Sequence, residues 1–201
     1  MMTRTTTLTA FLCLVTALAV FADEKKKGDD RSNMDLPNSN FKNKVFKDNS
    51  TFEDSDLKGS NFTKAIAKGA IFVNATLTDT IMESADLSGA DLRKAKVDYI
   101  WLSDTNLAGA NLEGLDLSGN ARSLARVNLR GANLKKVTLK QINECNFAGA
   151  DLRGANLTRM EDGGSVKSNF RKAKYNKVTI WPKGFDPVEA GAVLVTEDKP
   201  K

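Results

Sequence analysis

The chain of 201 residues contains no histidine and only two cysteines, Cys13 and Cys145. Without histidine, the commonest general acid–base side chain and the commonest zinc ligand are both missing. If Cys13 leaves with an N-terminal leader, Cys145 alone can neither close an internal disulfide nor assemble a zinc site. Long apolar runs are scarce as well. The uncharged stretch from Leu8 to Val20 is too short to span a bilayer. A phosphate-binding loop, a metal-ligand cluster and a nucleophile paired with a base are likewise lacking. The chain is therefore expected not to be an enzyme and to carry no cofactor, and no catalytic, cofactor-binding or metal-ligating residue is assigned.

What the N-terminus does have is the layout of a secretory signal peptide. Arg4 supplies the positive start, Leu8 to Val20 the apolar stretch, and Val20-Phe21-Ala22 the small side chains at the cleavage point. Residues 1–22 are read as that signal peptide. Residues 23–38, polar and interrupted by Gly28 and Pro37, are read as a flexible linker. Export to a bacterial periplasm or the extracellular medium follows, with no membrane-spanning segment after cleavage.

From Phe52 the chain places one bulky apolar residue every five positions. Phe52, Leu57, Phe62, Ala67, Phe72, Leu77, Met82, Leu87, Leu92, Val97, Leu102, Leu107, Leu112 and Leu117 run in step, and Ala70, Ala75, Ala85, Ala90, Ala95 and Ala110 sit two places before their partners. A period of five is neither the 3.6 of a helix nor the 2 of a flat strand. Fixed self-similarity of this kind marks a solenoid. The pattern starts weakly at Phe41 and Phe46, gains two residues at Gly119-Asn120-Ala121, and slips again before Phe147. Glu161-Asp162-Gly163-Gly164 reads as a protruding loop, and Phe170, Tyr175 and Ile180 close the array.

The units Ala85-Asp86-Leu87-Ser88-Gly89, Ala110-Asn111-Leu112-Glu113-Gly114 and Ala150-Asp151-Leu152-Arg153-Gly154 resemble the pentapeptide repeat, Ala-Asp/Asn-Leu-x-x. The resemblance covers residues 39–181 and implies an all-β fold, a right-handed parallel β-helix of nearly square section with four pentapeptides per coil. Residues 20 apart then stack about 4.8 Å from one another. The central Leu/Phe and the small residue two before it point inward, and six or seven coils make a rod roughly 30 Å long. Residues 182–201 are read as a C-terminal cap and tail, because terminal units must cover the open core. The segment Trp181-Pro182-Lys183-Gly184-Phe185-Asp186-Pro187 is similar to tails that follow the repeat in other members.

Within this grammar most polar residues are structural. Asp56, Asp86, Asp91, Asp116 and Asp151 precede a central residue and face out, away from any water-excluding cleft that would tune them for catalysis. Asp91, Asn111 and Asn133 should form a side-chain ladder. Cys145 falls at a small inward position and is read as buried packing. Ile81 and Trp101 stand 20 residues apart at an outward position, with Tyr99 beside Trp101. They form a candidate interaction surface, unless a loop or the tail folds over them. Ile66 and Ile71 point out on neighbouring faces.

Charge is unevenly spread. Residues 23–116 carry a net −4 and residues 117–201 a net +8. Arg126, Arg130, Lys135, Lys136 and Lys140 make a candidate basic surface, together with Arg122, which strict grammar would turn inward unless a bulge at Asn120–Ser123 releases it. The spacing scatters these charges around the coils with no interleaved aromatics, which favours a solvated face over nucleic-acid binding. Two functional readings follow. One is an exported, non-enzymatic structural or protein-interaction module whose partner is a protein or envelope component, with end-to-end homodimers a further expectation. The other comes from the resemblance: some members imitate duplex DNA and bind DNA gyrase, protecting it from quinolones. Mimicry needs an acidic surface, and the basic charge and the leader both speak against it.

Overall fold

The computed structural model describes residues 28–119, 124–159 and 168–196. The proposed signal peptide, the bulge at Asn120–Ser123, the loop at Glu161–Gly164 and the last tail residues lie outside the described residues.

The chain winds as a four-sided parallel solenoid. Column by column, outward residues of successive coils pair in parallel. The first face carries Asp30, Thr51, Ile71, Asp91, Asn111, Asn133, Asp151 and Lys174. Asp35, Asp56, Thr76 and Lys96 begin the second face, and Asn40, Asn61, Ile81 and Trp101 form the third. The fourth runs Val45, Ile66, Asp86, Asn106, Asn128, Asn146 and Asn169. Where pairing extends beyond single bridges, short strands result: β1 (Asp116–Leu117), β2 (Leu124–Ala125), β3 (Thr138–Lys140), β4 (Ile142–Asn143), β5 (Asn156–Arg159), β6 (Lys174–Tyr175) and β7 (Val193–Leu194). They pair in parallel in the orders β1-β3-β5, β2-β4 and β6-β7.

Each corner is a hydrogen-bonded turn. The carbonyl of a central residue accepts the N–H three residues on, as in Ala90 to Leu87 at 3.0 Å. The residue two after the centre has positive φ, at Gly89 (71°) as at Asp79 (59°) and Lys94 (61°). Positive φ confined to the third turn residue is the type II arrangement, which favours Gly and Asn. Asn49 and Asn74, which head glycosylation sequons, take φ of 61° and 59°, so turn geometry explains their identity.

Inside, the core is a column of one side chain per corner. Phe62, Leu87, Leu107, Leu134 and Leu152 are each at most 1 % exposed. Aromatics gather at the two ends. Phe52 stacks on Phe72 with centroids 5.0 Å apart, and Phe147 on Phe170 at 4.8 Å. Both distances match the coil spacing of about 4.8 Å, so each of these two pairs stacks face to face within its column. The small inward positions also hold hydroxyls that sequence periodicity did not single out. Buried Thr80 donates to the Leu57 carbonyl at 3.0 Å and buried Thr105 to Met82 at 2.7 Å, stapling one coil to the coil before it.

Three sequence expectations change. Residues 28–38, read as part of a flexible linker, belong to the first coil: Arg31 N–H donates to Thr51 and Leu36 N–H to Asp56. Arg31 takes the central, inward position, where the uncovered end of the core leaves room for its guanidinium. That group lies 5.1 Å from the Phe46 ring centroid and 5.7 Å from that of Phe52, with Asp29 at 3.2 Å. It closes the core by cation–π contact while staying partly hydrated. At the other end Ile180, expected to close the array from inside, is 50 % exposed. The register has moved by one, so Thr179 fills the small position, Ile180 pairs outward with Asn156, and Trp181 turns in. Trp181 stacks on Phe185 at 5.0 Å and meets Phe170 and Tyr175 edge-on at 5.6 Å, an aromatic cluster packed on the end of the core. The third change concerns the ladder. Asn133 donates to Asn111 at 3.0 Å as expected, but the Asp91 carboxylate is taken by Arg93, its Nη2 2.6 Å away. A longer ladder stands on the fourth face, where Asn128 donates to Asn106 and Asn106 to Asp86, both at 2.9 Å.

Two substitutions should move stability in opposite directions. Leu107→Ala empties part of the column and should cost about 2–5 kcal/mol. Lys94→Gly relieves an exposed left-handed residue and should gain up to about 1 kcal/mol. Urea unfolding of both proteins, followed by circular dichroism, checks the pair.

Candidate interaction surface

The outward carboxylates and amides have a local task. Asp86, Asp91, Asp151, Asn106 and Asn146 each accept, on Oδ1, the N–H of the residue two further on, at 3.1–3.2 Å. These Asx turns satisfy a donor at the corner. Repeat geometry therefore accounts for the outward Asp86, Asp91 and Asp151. Among the described residues no group of three or more His, Cys, Asp or Glu is placed to hold a metal ion, and no helix is long and apolar enough to cross a membrane.

Burial of Asp91 and Asp151 opposes their ionisation, but the bonds from Arg93 and Arg153 outweigh it and hold both carboxyls below the usual range. Asp86 is held low in the same way, against its burial, by Ser88, Asn106 and Lys68. The Arg126 guanidinium, bonded to Asp104 at 2.6 and 2.7 Å, lowers the Asp104 carboxyl.

Ile81 and Trp101 are paired neighbours on the third face, as their spacing predicted, and both are half-buried. Tyr99 stands at the adjoining corner, 40 % exposed, with φ of 56°. A bulky residue in the left-handed region is an outlier that costs of order 1–3 kcal/mol and persists where surroundings enforce it. Above Ile81 the column is polar, with Asn40 and Asn61, so the apolar patch is local. Ile66 and Ile71 fall on the fourth and first faces, separate from it. Val45, 68 % exposed and paired with Ile66, adds a second apolar pair that the sequence reading missed. The one-residue slip between Phe46 and Phe52 had hidden that alignment.

The basic residues do not form one surface. Arg126 is ion-paired with Asp104, Lys135 lies 3.6 Å from Asp151, and Lys140 belongs to β3. Lys135 and Lys136 border a hollow that also contains Glu113 and Arg153. Arg130 stands at a different corner, with Arg171 and Lys172 of a later coil. Cys145 is buried, its Sγ donating to the Leu124 carbonyl at 2.9 Å, and burial pushes its thiol up.

The model for pentapeptide repeats matches in 8 copies, over residues 48–83, 85–119 and 123–159. No curated protein sequence matches the chain. Among solved structures, the chain is similar to HetL, a protein involved in heterocyst differentiation regulation from the cyanobacterium Nostoc sp. strain PCC 7120, at 21% identity over 88% of this chain and 90% of that one, TM-score 0.34. It is similar to QnrB1, a plasmid-mediated fluoroquinolone resistance protein, at 18% identity over 83% and 87%, TM-score 0.42. It is also similar to a pentapeptide repeat protein of the Arabidopsis thaliana thylakoid lumen, at 26% identity over 74% and 69%, TM-score 0.26.

Two measurements follow. The lowered carboxyls have folded pKa values below their unfolded ones. Their stabilisation is thus full above the unfolded value of about 3.9 and is lost as pH falls through the folded values. Melting temperature should be level from about pH 7 to 5 and drop below about pH 4. In a Cys13→Ser background, Cys145 should resist a thiol reagent in the folded protein and react on unfolding.

Proposed function

Because this chain belongs to the pentapeptide repeat family, a fold of right-handed β-helices, we propose that it is an exported, non-enzymatic interaction module that presents a rigid face to a protein or envelope partner. The observation that carries this reading is the Tyr99, Trp101 and Ile81 patch. A bulky, exposed tyrosine at a left-handed corner beside a tryptophan–isoleucine pair costs stability, whereas the same column above the pair is polar, with Asn40 and Asn61. Aromatic residues of this kind supply contact area at small entropic cost and are the usual anchors of interfaces.

Export rests on the N-terminal pattern at residues 1–22. The DNA-mimic alternative finds little support in the charge layout. A mimic needs continuous rows of acidic groups, whereas Asp86, Asp91, Asp104 and Asp151 are each paired with Lys or Arg, and Arg130, Arg171 and Lys172 face the solvent.

The test is fractionation of the native host with intact-mass measurement, followed by capture of partners on the mature protein. A chain beginning at Asp23 in the exported fraction is expected, together with a partner lost in Trp101→Ser. Tyr99→Gly should keep or raise the melting temperature and weaken capture. A full-length cytosolic chain, or capture indifferent to both substitutions, overturns the reading.

A further inference from the structure

The corner between the fourth and first faces carries an arrangement that turn geometry does not explain. In each pentapeptide the residue after the central one projects from the corner. Down this corner those residues are Arg130, Ala148 and Arg171. Their alignment is fixed by backbone bonds: Gly131 N–H donates to the Ala148 carbonyl and Gly149 N–H to that of Arg171, both at 3.0 Å. Two arginines therefore stand about 10 Å apart along the rod, two coil spacings, with an alanine and a glycine between them. The short side chain of Ala148 and the bare Gly149 leave a hollow of about 440 Å³, bordered by Arg130, Asn146, Asn169, Arg171 and Lys172.

Three features set this hollow apart from the rest of the surface. No acidic side chain among the described residues lines it, whereas the neighbouring hollow at Lys135 and Lys136 includes Glu113. Among the described residues none of Arg130, Arg171 and Lys172 has a carboxylate partner, unlike Arg93, Arg126 and Arg153. Finally, the amide ladder of the fourth face, Asn128 to Asn106 to Asp86, does not extend past Asn128. Asn146 and Asn169 use their oxygens in Asx turns. Their side-chain N–H groups make no bond among the described residues, so they remain as donors at the hollow's edge.

From this geometry we infer an anion-binding site in which Arg130 and Arg171, facing each other across Ala148–Gly149, clamp a phosphate or sulfate group with Lys172 and the two carboxamides as further donors. Planar guanidinium groups match tetrahedral oxyanions by paired N–H bonds, and a lysine adds a point charge. The floor of Ala148 and Gly149 lets the anion approach the rod closely. The hollow exceeds the size of a bare ion, so the ligand class includes a phosphate or sulfate ester of a small molecule.

Titration of the isotope-labelled protein with pyrophosphate, followed by amide NMR at constant chloride, tests the site. Saturable shifts at Gly131, Ala148, Gly149 and Lys172 are expected. Arg130→Gln with Arg171→Gln should weaken binding at least tenfold with melting temperature unchanged. Lys135→Gln with Lys136→Gln removes the same charge at the other corner and should change affinity less than twofold. Single Arg171→Lys should fall between, since the charge remains without the fork. Parallel titrations with orthophosphate and glycerol 1-phosphate distinguish a free ion from an ester, and saturable binding of either at this corner supports the site. Shifts spread over both corners, equal losses in the two double variants, or no saturable shift would overturn it.

Discussion

Successive coils are joined by parallel backbone hydrogen bonds, and those bonds form only if every coil brings its four faces back into line with the coil before. Phe52 N–H to Ile71, Met82 N–H to Trp101 and Leu92 N–H to Asn111 are examples, at 2.7–2.9 Å. Closing a coil needs four turns, and each turn needs a residue that accepts positive φ. This requirement explains the glycines and asparagines, and it explains why Asp or Asn recurs before the central residue, where its side chain occupies a corner N–H. Once the corners are fixed, the interior admits one large and one small side chain per face. Stacked Phe52 and Phe72 follow from that spacing and need no separate cause.

Much of this was legible because the period is a direct record of the geometry. The inward column from Phe52 to Leu117 and the pairing of Ile81 with Trp101 follow from counting. Counting failed where a side chain broke the hydrophobic rule or a coil changed length. Arg31 sits at an inward position, where its cation–π contacts, the Asp29 carboxylate and partial hydration at the end of the core make a charge tolerable. Its five-residue distance from Leu36 was the available signal. Ile180 and Trp181 exchanged roles because the final coil gained a residue, putting Thr179 in the small position. The Arg130–Arg171 corner could not be aligned from sequence, since Asn146 pairs with Asn169, 23 residues on, where the regular coil advances 20.

The same logic separates structure from function on this surface. Positions that turn grammar fixes, such as Asp86 and Asn106, carry little functional information, because the fold would demand them anyway. Positions whose residue type departs from the usual one at some cost are informative: the bulky Tyr99 at a left-handed corner, the apolar Ile81 and Trp101, and the arginines beside Ala148, which have no carboxylate partner among the described residues. The two sets lie at different corners, which leaves the rod free to hold a macromolecular partner and a small anion independently. Neither requires a moving part, in keeping with a core of tightly stacked columns.

Coil closure in register is the claim on which everything above rests, and the structure itself offers a comparison. From Leu117 to Leu124 the chain uses two residues more than the repeat, and from Leu139 to Ile142 two fewer. Yet Leu117 still pairs with Leu139 and Leu124 with Ile142. Length changes are therefore absorbed at this corner. The decisive measurement is the unfolding free energy of two proteins that each carry one extra alanine, after Ser88 or between Gly119 and Leu124. The first should lose several kcal/mol, on the scale of a disrupted core, and the second less than about 1 kcal/mol. Equal losses at the two positions would contradict the account.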